Sequence, residues 1–127
     1  NNTKRMPIST KSGDSLSSTL SHFKSILGWR VIRIKGHSMS PYLDDGDYVL
    51  GKVINKGEYL SPGEYIELIH PDYGSMVKSV LSVYDREITV TGKSITSMES
   101  DHIGKIPKEN AVTRILWRIS PQGITRL

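Results

Sequence analysis

From Trp29 onward the apolar residues of this chain recur with a period of two, in short runs punctuated by Gly, Pro, Asp and Asn, and that pattern confines most of the chain to β structure. Trp29, Val31 and Ile34 lie among Arg30, Arg33 and Lys35, a first strand that ends at Gly36. Further strands are expected at residues 48–54, 65–69, 76–84, 87–91 and 112–119, where Val, Ile, Thr and Tyr crowd together. Residues 36–47 read as a loop, with Pro41 and the turn pair Asp45-Gly46. Before Gly28 the spacing differs: Leu16, Leu20, Phe23, Ile26 and Leu27 share one face of a helix that Asp14 or Ser15 can cap and Gly28 can stop. Such a helix packs against the body or lies on a membrane surface. Residues 1–13 are polar and aperiodic, as in a flexible tail. In a chain of 127 residues, residues 14–127 are expected to form a single domain. The expected fold is mainly β, a folded-over or barrel-like antiparallel sheet with one short N-terminal helix.

The absence of cysteine removes disulfides, thiol nucleophiles and cysteine-ligated zinc together. A net charge of +4 permits acidic partners, but the Lys and Arg residues are spread along the chain and are not interleaved with stacking aromatics. Nucleic acid is therefore not an expected partner. No apolar run approaches the roughly 20 residues of a membrane helix. Because the chain begins with Asn1 rather than Met, it reads as trimmed or processed, and membrane association is expected only where an N-terminal anchor has been removed. A complete chain would be cytoplasmic.

The segment Gly36-His37-Ser38-Met39-Ser40-Pro41 places a serine between a glycine-ended strand and a proline-stiffened loop. There its hydroxyl can be exposed while its backbone is held, and Gly36 lets a substrate backbone approach. The Ser38 amide can face a developing oxyanion. A serine hydroxyl needs a base. His22 falls in the expected helix, His37 adjoins Ser38, and His70 and His102 lie in loops without a clear orienting acid. Lys78 is the better candidate, because the run Met76-Val77-Lys78-Ser79-Val80-Leu81 is an apolar strand in which a lysine is out of place. An amine works as a base only when neutral. Bringing one from its ordinary pKa of about 10.4 into use near pH 7 takes about 4 kcal/mol of environmental bias, of the order that burial against apolar walls supplies. The competing reading is a lysine that reaches solvent from an edge strand.

Together these residues resemble the type I signal peptidases and the wider clan of Ser-Lys peptidases that includes the LexA-like self-cleaving proteins. The clan segment Gly-x-Ser-Met-x-Pro-x-Leu-x-x-Gly-Asp matches residues 36–47, and Lys78 follows Ser38 at a suitable distance on a downstream strand. Ser79 stands where an arginine is common. A later family segment is followed loosely by Gly92-Lys93-Ser94 and residues 97–104, in which Ser97 corresponds to the serine that orients the lysine and Glu99 to a structural acid. Asp101 replaces the usual arginine, so the family's acid-to-arginine pair cannot form in the same way.

The resemblance implies a signal peptidase/LexA-like fold. It also implies a serine endopeptidase that removes a leader or signal peptide from a precursor protein through an acyl-enzyme. Ser38 would be the nucleophile and Lys78 the general base, with Gly36, Ser97 and Glu99 in support. No cofactor and no metal enter that chemistry. Small untethered relatives include the peptidases that trim the leader of nickel-type superoxide dismutase, whose compact spacing between lysine and second serine is similar. A LexA-like self-cleavage site is missing, since Ala111 is the sole alanine and there is no cysteine. The reading from another class is a decayed peptidase fold serving as a binding module.

Overall fold

The computed structural model describes residues 28–93 and 103–127, which form one antiparallel sheet of eight strands. In chain order these are β1 (Trp29–Arg33), β2 (Tyr48–Val53), β3 (Tyr65–His70), β4 (Gly74–Val83), β5 (Glu87–Thr91), β6 (Ile106–Pro107), β7 (Ala111–Ser120) and β8 (Gly123–Arg126). A single 3-10 turn, Lys108–Asn110, precedes β7. The mainly β, antiparallel architecture agrees with the period-two pattern. Barrel-like closure is not found among the described residues, because the order β1-β2-β7-β3-β4-β5-β6 has two ends and β8 adds only to β7. The expected tail and the helix expected at residues 14–27 lie outside the described residues.

Turn chemistry sets the hairpins. Between β3 and β4, His70 Nδ1 accepts from the amides of Asp72 (3.0 Å) and Tyr73 (3.2 Å), and Gly74 closes the turn at φ +76°. Between β4 and β5, the Tyr84 amide donates to the Glu87 carbonyl at 2.8 Å. Strands β6 and β8 carry no readable signal in the sequence. The first has two residues, and all four residues of the second are exposed, so neither shows an alternating apolar face.

The longest connections run through β7. Its residues Thr113, Arg114, Ile115, Trp117, Arg118 and Ile119 pair with β2. On the other side its first half pairs with β3 and its last four residues with β8. Two apolar cores result, one around Ile66, Leu68, Val80, Ile88 and Ile106, the other around Ile34, Met39, Leu43, Val49 and Ile115. On β3, Tyr65 packs against the second core while Ile66 and Leu68 belong to the first, as strand alternation requires. Ala111 and Ile115 are an even number of residues apart yet belong to different cores. An irregularity in the β3 to β7 register, where Glu67 pairs with Thr113 and Leu68 with Ala111, shifts the alternation by one and explains this.

Gly51 of β2 marks the closest approach within this frame. A Cβ there would lie 2.6 Å from the Arg114 carbonyl oxygen and 2.6 Å from Thr113 Cγ2. Backbone cannot yield as a flexible side chain can. Gly51→Ala should therefore lower unfolding free energy by about 2 kcal/mol, as other overpacked sites do, measured by urea denaturation.

Candidate active site

Residues 34–47 double back between β1 and β2. The Ile34 amide donates to the Asp47 carbonyl (2.8 Å) and the Gly46 amide to the Ile34 carbonyl (2.8 Å), which closes the neck of the loop. Inside it, the Gly36 amide donates to Asp45 Oδ1 (2.7 Å), and Gly36 adopts φ +82°, where a side chain would be strained. Met39 and Leu43 fill the second core almost without exposure, each contributing roughly 2 kcal/mol by burial. Arg118 of β7 holds the outer arm. Its Nε donates to Asp47 Oδ2 (2.7 Å), its Nη2 to Asp44 Oδ2 (2.9 Å) and its Nη1 to the Pro41 carbonyl (3.3 Å). Ser38 thus sits half-buried on a loop fixed at its neck, its floor and its outer arm.

Lys78 stands in β4 opposite Ile66 and is 6 % exposed. The reading in which it reaches solvent from an edge strand does not apply to this structure. Ser38 and Lys78, 40 positions apart in sequence, line one cavity of about 910 Å³, with Ile34 and Met39 as apolar wall. The Ser38 carbonyl accepts from the Lys93 amide at 2.7 Å. Thr91 is the partner of Ser79, so residues 92 and 93 follow at the level of Lys78. The serine loop is thereby fastened beside the lysine strand. The Lys93 ammonium lies over the rings of Tyr65 (5.9 Å) and Tyr42 (6.0 Å). Burial first, and Tyr42 second, raise the Tyr65 hydroxyl above the ordinary phenol range, which keeps that ring neutral beneath the cation.

The far end of the cavity is polar. Glu67 of β3 is 2 % exposed and accepts from Thr113 Oγ1 (2.7 Å), Ser75 Oγ (2.9 Å) and Arg30 Nη2 (3.2 Å). Because Arg30 and Ser75 meet on one carboxylate, the starts of β1 and β4 lie side by side, and the two elements lead from there to Ser38 and Lys78. Among the described residues β1 pairs only with β2, and β4 as far as Lys78 pairs only with β3, so two strand edges border the groove. A hydroxyl, an amine and open backbone edges on one wall are a combination suited to acyl transfer on an extended chain.

Of the residues singled out from sequence, Ser38, Lys78 and Gly36 are in the described part, and Gly36 lies two residues before Ser38 with its amide committed to Asp45. Ser97 and Glu99 lie outside the described residues, as do His22 and His102. His37 is exposed beside Ser38, and His70 is occupied in its hairpin turn. Sequence reasoning missed Arg118, Lys93 and the Glu67 cluster. Glu67 was detectable by the argument that picks out Lys78, since it is a charge inside the apolar run Tyr65-Ile66-Glu67-Leu68-Ile69. No protein-family model matches the chain, and no curated protein matches it.

Arg118 is the tether whose loss the loop should feel most. Arg118→Ala leaves the buried Asp47 carboxylate with only the Asp44 amide, and is expected to cost about 2 kcal/mol. Proteolytic nicking within residues 36–47 should increase with it, while Arg118→Lys, which keeps the charge without the fork, should fall between.

Proposed function

We propose that the chain is a serine endopeptidase of the signal peptidase/LexA-like type, acting on a leader or signal peptide of a precursor protein. The observation that carries this reading is that Ser38 and the buried Lys78 line one groove between two strand edges. A groove flanked by strand edges suits a peptide added as an extended strand, and it would bring the scissile carbonyl between the hydroxyl and the amine. The fixed loop around Ser38 supports it too, since a nucleophile held in place loses less entropy on the way to the transition state.

The chemistry follows from those groups. Lys78 Nζ takes the proton of Ser38 Oγ as the oxygen attacks the substrate carbonyl carbon. The resulting oxyanion is met by the Ser38 amide; the Gly36 amide, held by Asp45, is not its second donor. On collapse the carbon–nitrogen bond breaks, and Lys78 returns the proton to the departing amine. A serine ester remains. Water then enters, gives a proton to Lys78 and attacks the ester. The carboxylate product leaves, and the proton returns to Ser38 Oγ.

Three variants test the reading on a set of extended peptides with small residues at the scissile position. Ser38→Ala, Lys78→Met and Lys78→Arg should each lower kcat at least about 1,000-fold with the circular dichroism spectrum unchanged. Lys78→Arg is the sharpest, because it keeps a long nitrogen-bearing side chain in place, yet guanidinium never yields a neutral base. Hydrolysis that survives in all three would sink the dyad, and peptide binding without hydrolysis in the unaltered protein would favour the binding-module reading.

A further inference from the structure

The cavity carries a charge imbalance that the dyad chemistry does not use. Arg30, Arg33 and Lys35, all within or just beyond β1, line it, and among the described residues Glu67 is its only acidic lining residue. Both Glu67 oxygens are already engaged, Oε1 by Thr113 and Oε2 by Ser75 and Arg30. Arg33 and Lys35 are exposed and have no ion-pair partner among the described residues. Arg30 is anchored by one nitrogen, and its buried Nε has no hydrogen-bond partner. A guanidinium fixed at one corner with donors to spare is prepared for a second carboxylate.

We propose that this groove selects peptides bearing an aspartate or glutamate about three to four residues from the cleaved bond, the carboxylate meeting Arg30 while Arg33 and Lys35 supply the attracting field. The spacing comes from the strands. Ser75 and Lys78 are three residues apart and Arg30 and Ile34 four, and an extended peptide alongside rises by the same roughly 3.3 Å per residue. This specificity rests on the peptidase reading for the bond that is cleaved, whereas the anionic recognition itself rests on the groove alone. Because the groove is open to solvent, the preference should weaken as salt screens it.

The test is a set of extended peptides in which one position at a time carries Glu, Gln or Lys. Cleavage by the unaltered protein is followed by mass spectrometry, and binding to the Ser38→Ala protein by fluorescence anisotropy. Glu at one position is expected to exceed Gln by about tenfold in kcat/KM and in affinity, with Lys weakest, and the margin should shrink between low and high salt. Arg30→Gln should remove the margin. Should that variant fail to fold, the exposed Arg33→Glu should invert the order of Glu and Lys, while Lys56→Gln, outside the groove, keeps it. Equal cleavage of the Glu, Gln and Lys peptides would overturn the specificity and leave the peptidase reading standing. Selective binding of the Glu peptide with no cleavage of any peptide would do the reverse. Neither binding nor cleavage would overturn both.

Discussion

A serine in a loop rich in glycine and aspartate has no reason to hold one position, and everything at this site depends on the forces that make it do so. Burial of Met39 and Leu43 in the second core is the largest of them, on the order of 4 kcal/mol for the pair. It sets the depth of the loop. Arg118 sets its orientation by taking Asp47, Asp44 and the Pro41 carbonyl in one fork, and the Ser38 carbonyl closes onto the Lys93 amide. Apolar burial alone would permit the loop to slide, and polar contacts alone would be weakened by water. Here the two act on alternate sides of the same short segment.

A similar division runs through the groove. At one end Lys78 shares the cavity wall with Ile34 and Met39, and at the other the buried Glu67 is satisfied by three donors. Glu67 is tolerable at 2 % exposure because each of its oxygens is paired, and removal of any donor would leave part of that charge uncompensated. Its neighbour Thr113 can pack closely because Gly51 has no side chain to interpose. A glycine on one strand, a hydroxyl on the next and a carboxylate on a third therefore act as one unit.

How much of this was legible from the sequence depended on the range of the signal. The strands around Val49, Ile66, Val80 and Ile88 announced themselves through short runs of β-branched and other apolar residues between turn residues, a local signal. Lys78 announced itself as a cation in an apolar run. Arg118 did not, because its partner Asp47 lies 71 positions away and an arginine on a half-buried strand face is unremarkable in isolation. The exposed β8 lacked any apolar period, and the open order of the sheet is a matter of pairing, to which periodicity is blind. A register irregularity such as that opposite Glu67 is likewise invisible until two strands are laid together.

The strand order has a temporal meaning. The loop bearing Ser38 is strung between β1 and β2 at one end of the sheet, while Lys78 belongs to β4, and β7, later in the sequence than both, is the strand that joins β2 to β3. A nascent chain that has not yet delivered β7 lacks the strand that pairs the hydroxyl's half of the sheet to the amine's, and only contacts such as Ser38 to Lys93 and Arg30 to Glu67 can hold the two together. The sheet pairing that carries hydroxyl to amine is thus complete only once β7, which follows both residues in the sequence, has been made.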